Sequence, residues 1–199
     1  MIKTIIFDIG GVITNYDFDT LYSNFAERLG VPTKFITEYI DKNIDDIFCG
    51  KNNWKDFENE IIKVGADSKL DIKKIWIEEG LKSVSVNKEL LQIIEKLSKK
   101  YSTGILSNVS EARAFIDKKL KLYDKVNYRV LSYEEFVQKP DPAFYKKALS
   151  IAHVKPNEAV FIDDTKELIF AAKKIGINGI VYLNNNDLIE NLRKLGVEI

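Results

Sequence analysis

IKTIIFDIGG, residues 2–11, is the stretch that decides the fold. A short β-branched and aromatic run stops at Asp8 and a Gly10-Gly11 pair, the pattern of a buried strand emptying into a loop. Three later stretches repeat this design. Residues 101–106 end in Ser107-Asn108, residues 159–162 end in Asp163-Asp164, and residues 179–183 end in three Asn. Residues 126–131 are a further strand candidate. Helical patterns lie between them at 88–99, 111–122, 142–152 and 166–175, the last followed by Gly176 as a C-terminal cap. Strands alternating with helices of this length predict an α/β chain, a Rossmann-like doubly wound parallel sheet.

Residues 16–85 break that rhythm. They show no convincing strand and read as four consecutive amphipathic helices near 19–29, 33–48, 54–64 and 69–81, punctuated by Pro32, Gly50 and Gly65. The expectation is a helical unit inserted after the first strand, between two parts of a core made of residues 1–15 and 86–199, with its own Phe, Trp, Leu and Ile filling a small bundle. There is no internal repeat, and the Asn184–Asn186 run reads as a loop.

The 199 residues carry 30 Lys+Arg against 30 Asp+Glu and are 45% hydrophobic, enough for a real core and too evenly charged for a polybasic nucleic-acid binder. The single Cys49 excludes an internal disulfide framework, and the single His153 leaves too few soft ligands for structural zinc. These features fit a reducing, cytoplasmic setting. No signal peptide or membrane span is expected. His153 should fall at the amino edge of the sheet, away from any crevice, which argues against His-based hydrolytic chemistry.

Ligands of open parallel sheets bind outside the carboxyl ends of the strands. There the sequence places Asp8, Ser107-Asn108 and Asp163-Asp164, with Lys139 in a polar loop where its charge would otherwise be free in water. Three carboxylates and one ammonium converging on one edge suit Mg²⁺, a hard cation that shares its shell with water and phosphate. Asp and Asn also end strands simply because they favour turns.

FDIGGVI at 7–13, LSN at 106–108, KPDPAFY at 139–145 and FIDDT at 161–165 resemble the four ordered motifs of the haloacid dehalogenase superfamily. The insertion after the first motif resembles that family's type 1 helical cap, and the opening is similar to a glucose-1-phosphatase-like subset. The resemblance implies a Mg²⁺-dependent phosphatase acting on a small phosphorylated metabolite, a sugar phosphate as first guess, through an aspartyl-phosphate on Asp8. It further implies phosphate binding by Ser107 and Asn108 and charge neutralisation by Lys139. Metal ligation would fall to Asp8, the Gly10 carbonyl, Asp163 and Asp164. Lys51 and Trp54, at the Gly50 turn of the cap, are substrate-contact candidates. Lys51 also reads as a solvated loop lysine, and Trp54 as a packing residue.

One departure matters most. Family phosphatases commonly carry a second Asp two residues after the nucleophile as general acid, and here that residue is Gly10, which also suits a loop turning through φ > 0. Asp17 and Asp19 are possible stand-ins or plain helix-start acids. Leu168 replaces a frequent Asn of the fourth motif. A 2-haloacid dehalogenase-type hydrolase, which needs no acid at position 10, and a non-catalytic member that binds a ligand or partner are the alternatives. Oligomeric state is open.

Overall fold

The computed structural model describes residues 1–199. Seven strands form: β1 (Thr4–Phe7), β2 (Thr14–Tyr16), β3 (Val84–Val86), β4 (Ser102–Ser107), β5 (Tyr128–Leu131), β6 (Ala159–Asp163) and β7 (Asn178–Val181). Five of them make one parallel sheet in the order β5-β4-β1-β6-β7, with β1 at the centre. The chain winds outward from β1 on one side, then crosses to the other, the doubly wound arrangement expected.

Alternation along β1 explains its two packed faces. Ile5 and Phe7 face a cluster with Leu90, Ile93, Leu188 and Leu192, whereas Ile6 faces Leu106, Phe144, Phe161 and Ile169. Every residue of β1 is buried, as a central strand covered on both sides requires. The helices supplying those faces are α5 (Lys88–Leu97), α8 (Pro142–Ala152), α9 (Lys166–Lys174) and α10 (Asn185–Lys194), with α6 (Glu111–Lys119) and the single turn α7 (Ser132–Glu135) between strands. No helix is long and apolar enough to cross a membrane.

Helix α10 corrects the reading of the Asn run as a loop. Asn184 accepts a hydrogen bond from Asp187 N at 3.0 Å, so the run is a helix start, and Leu188 and Leu192 bury behind it. His153 is exposed and closes α8 in a left-handed conformation, remote from the strand carboxyl ends as expected.

The inserted segment forms α1 (Phe18–Leu29), α2 (Thr33–Phe48), α3 (Trp54–Val64) and α4 (Ile72–Ser83). Local chemistry sets the starts: Asp17 caps α1, Asp71 caps α4, and Asn53 with Asp56 forms a capping box on α3. These helices enclose a separate core built on Phe25, Phe57, Ile61 and Trp76. The expectation of no strand at the segment's edges was wrong. β2 and β3 pair antiparallel, Thr14 opposite Val86, and both expected boundaries fall inside this ribbon. Three-residue strands give too short an alternation to register as a period.

The helical unit is fastened to the rest chiefly through α6. Trp76 Nε1 donates to Ala112 O at 2.8 Å, Trp54 N donates to Glu111 Oε2 at 2.9 Å, and Ile116 of α6 completes the unit's apolar core against Gly80. A second contact lies at Gly50, whose φ is +67° and whose missing side chain leaves room for the Tyr133 carbonyl. Gly50→Ala should therefore lower stability by about 1–2 kcal/mol from backbone strain alone, a fall in Tm of roughly 2–8 °C for a chain of this size. An unchanged thermal melt would show that this contact does not constrain the fold.

Candidate active site

Sheet register assembles the site. Phe7 pairs with Ile105 on one side and Ile162 on the other, so Asp8 emerges beside the ends of β4 and β6. Asp8 N donates to Ile162 O at 2.9 Å, which fixes the first residue of the loop to the neighbouring strand. Asp8, Ser107, Lys139 and Asp163 are buried despite their polarity, while Asp164 is exposed. One carboxylate oxygen from each of Asp8, Asp163 and Asp164 lies within 4.8 Å of the others.

Lys139, 3% exposed, bridges two of these acids. Its Nζ donates to Asp163 Oδ2 at 2.6 Å and stands 3.1 Å from Asp8 Oδ1. The second contact is ionic without hydrogen-bond alignment, and Asp8 Oδ1 keeps no hydrogen-bond donor in the protein. Ser107 Oγ is likewise buried without a partner. Such orphaned atoms cost about 1–3 kcal/mol each unless a ligand or water satisfies them. Burial pushes the Asp163 carboxyl above its ordinary range, with the Asp8 charge adding to the rise and Lys139 opposing it.

Three carboxylates against one ammonium leave a surplus of two negative charges. That donor set, all hard oxygen, matches one divalent cation. The loop between Asp8 and β2 leaves Asp164 its place through Gly11, whose φ is +71° and whose Cβ, if present, would overlap Asp164 Oδ2. The positive φ expected of Gly10 belongs to Gly11 instead.

Several expectations change at this resolution of contacts. Asn108 has both ends of its amide committed to Lys139, accepting from the backbone N at 2.8 Å and donating to the carbonyl at 2.9 Å. It positions the lysine loop, and its amide keeps one N–H outside these two bonds. Lys51 is solvated, its side chain 68% exposed and 3.7 Å from Asp46. Trp54 is buried among Phe57, Trp76 and Phe115, yet it also borders a cavity of about 370 Å³ between the helical unit and the start of α6. Asp17 spends both carboxylate oxygens on Thr20 as a helix cap, and those bonds hold its carboxyl below the ordinary range. Asp19 is exposed in the first turn of α1. The Leu168 carbonyl accepts from the Tyr145 hydroxyl at 2.9 Å, a packing role.

Arg113 was missed by the sequence reading. Its guanidinium sits over Gly10, with Nη1 3.1 Å from where a Cβ would stand. Nη2 donates to Thr14 Oγ1 at 3.2 Å, the plane lies 4.8 Å from the Tyr16 ring, and Nε is 3.7 Å from the buried Asp117. A signal was available: Arg113 occupies the first turn of α6, where Ser110 caps the helix and where the dipole disfavours a cation.

The expectation that Lys139 is otherwise free in water also changes, because its charge is buried and paired within the protein itself. Lys139→Met should leave two buried carboxylates without a counter-ion and cost about 3–5 kcal/mol of stability. A carboxyl that titrates above its ordinary range favours the fold when protonated, so the Asp163 contribution is full at acidic pH and is lost as pH rises through its raised value. Urea unfolding of chelator-treated Lys139→Met should accordingly show its largest deficit at neutral pH and a smaller one in mild acid; a deficit independent of pH would contradict the pairing.

Comparison with known proteins places this geometry. Residues 5–182 match the haloacid dehalogenase-like hydrolase family. The bifunctional epoxide hydrolase 2 of Sus scrofa is 25% identical over 220 residues, covering 100% of this chain and 40% of the longer enzyme, so the chain spans less than half that relative. The D-ribitol-5-phosphate phosphatase of Bacteroides thetaiotaomicron is 26% identical over 204 residues, covering 96% of this chain and 97% of its own length. A haloacid dehalogenase family enzyme from the same bacterium, solved as a magnesium complex, superposes with a TM-score of 0.79 at 25% identity, over 96% of this chain and 98% of that one. The family match runs from the central strand to the last strand of the sheet, and the chain belongs to the haloacid dehalogenase-like hydrolases.

Proposed function

We propose that this hydrolase is a Mg²⁺-dependent phosphatase of a small phosphorylated metabolite, with Asp8 as nucleophile. The observation that carries the reading is the buried Lys139 ammonium held between Asp8 and Asp163 at the mouth of the sheet. A lysine in that place offsets the repulsion between an anionic nucleophile and an anionic ester. The relatives named as a phosphatase and as a magnesium complex support the same chemistry.

Asp8, Asp163, Asp164 and the Gly10 carbonyl would hold Mg²⁺, which supplies charge to the phosphoryl oxygens. The Ser107 hydroxyl, buried and unpartnered, is free to donate to one of those oxygens. Asp8 attacks phosphorus, its bond to the ester oxygen breaks, and the resulting aspartyl-phosphate is hydrolysed by water. Asn108 keeps Lys139 in register with the two acids. The helices of residues 16–85 act as the cap, joined by the β2/β3 ribbon, and present Asn52, Asn53 and Trp54 to the cavity that Arg113, the residue over Gly10, also lines. A dehalogenase acting on an anionic haloacid has no use for two surplus negative charges.

The test is phosphate release from acetyl phosphate and 4-nitrophenyl phosphate with Mg²⁺ present or chelated. Asp8→Asn keeps the shape and removes the nucleophile, so turnover should fall about 10⁴-fold or more, and chelation should abolish wild-type activity. Release by the variant, or by chelated protein, at the rate of the Mg²⁺-loaded wild type would exclude the aspartyl-phosphate route, and no release from any phosphoester would favour a non-catalytic chain.

A further inference from the structure

Two features meet at Arg113. Its guanidinium stands over Gly10, two residues from the nucleophile, and the residue also lines the 370 Å³ cavity. Ten of the sixteen residues lining that cavity are apolar, among them Phe18, Ile44, Phe48, Phe57 and Trp76. A phosphoester with phosphorus at Asp8 and its body in this cavity runs its bridging oxygen past Arg113. Resting on the phosphatase reading, we infer that Arg113 is the catalytic group that meets the departing oxygen, and that the substrate is a monoester of an apolar, acidic alcohol, an aryl phosphate in chemical class.

Charge and proton supply set the role of this side chain. A guanidinium is protonated at every physiological pH and does not give its proton up, so it stabilises an oxyanion and cannot act as a general acid. Of the carboxyls around the cavity, Glu111 accepts from Trp54 N, Asp117 is buried against Tyr16 and Tyr123, and Asp41 is exposed on the α2 wall. Arg113 is held for the task. Thr14 takes Nη2, the Tyr16 ring backs the plane, and Asp117 supplies the counter-charge, which leaves Nη1 as the edge nearest Gly10.

The step balances without a protein acid. Asp8 Oδ bonds to phosphorus, the phosphorus–oxygen ester bond breaks, and its electron pair leaves on an aryloxide paired with Arg113. Water then attacks phosphorus and the electron pair of the phosphorus–Oδ bond returns to Asp8. One proton of that water ends on phosphate and the other on the aryloxide. An alcohol of ordinary alkyl basicity would leave poorly by this route, and a polyol would lay most of its hydroxyls against the ten apolar lining residues, beyond what Asp41, Asn52 and Asn53 could pair. The lining therefore favours an aryl body over the sugar that the resemblance implies.

The experiment is a kcat/KM series on phenyl phosphates of graded phenol acidity, with 1-naphthyl phosphate, glycerol 3-phosphate and acetyl phosphate beside them. Wild type should turn over naphthyl phosphate at least about 10²-fold faster than glycerol 3-phosphate. Arg113→Met should lose about 10²- to 10³-fold on phenyl phosphate and much less on 4-nitrophenyl phosphate, steepening the dependence on leaving-group acidity. If Arg113→Met fails to fold because Asp117 loses its counter-ion, the double variant Arg113→Met with Asp117→Asn removes both partners and serves instead. Equal loss across the series, or glycerol 3-phosphate outrunning naphthyl phosphate, overturns the inference. Acetyl phosphate, which needs neither cavity nor proton donor, separates the two claims: Asp8-dependent turnover of it keeps the phosphatase reading whichever way the aryl series falls, and its absence removes that reading first.

Discussion

The Lys139 ammonium is the charge on which the arrangement at the sheet edge depends. β1 and β6 both end in a buried carboxylate, and parallel neighbours at the centre of a sheet cannot move apart to relieve the repulsion. A lysine 2.6 Å from one and 3.1 Å from the other offsets it. That lysine is in turn held from behind: Asn108, at the end of β4, grips its backbone on both sides. Three strand ends and one loop are thus tied through four polar residues. The desolvation of those residues is tolerable only because each charge has a partner. The same compact packing leaves Asp8 Oδ1 without a donor and Ser107 Oγ without a partner in the protein.

Helix α6 plays a comparable part for the inserted unit. One face carries Ile116 into the unit's apolar core, its first turn receives the Trp54 and Trp76 N–H groups, and Arg113 and Asp117 point toward the loop that follows β1. Fastening and chemistry share one helix. A shift of the helical unit therefore acts on the guanidinium beside Gly10 as well as on the cavity wall.

Much of this was legible in the residues. β1 and β6 are fully buried, so their apolar runs end sharply at the functional acids, and the helices α2, α3 and α8 begin at strong chemical boundaries: Pro32, the Asn53 capping box, Asp141-Pro142. What escaped reading is of two kinds. The β2/β3 ribbon and the α10 start are too short or too Asn-rich to stand out from loops. The commitments of Asn108 and Arg113 are set by partners 31 and about a hundred residues away, beyond the reach of local pattern. Asn108 looked free because a strand-end Asn carries no mark of what its amide will bind. Arg113 was overlooked because a lone Arg near a helix start reads as surface charge, although its conflict with the helix dipole was visible.

The ribbon has an architectural meaning. Thr14 lies directly opposite Val86, so the chain leaves the sheet and returns to it at adjacent points, seventy-odd residues later. To β1, β4 and β6 the intervening helices amount to one long excursion whose two ends are already stitched together. Extra turns, a missing helix or a different bundle could be spliced between those ends without asking any core strand to change neighbour or register. The part of the molecule that shapes the cavity is in this sense replaceable, and the part that carries the charges is not.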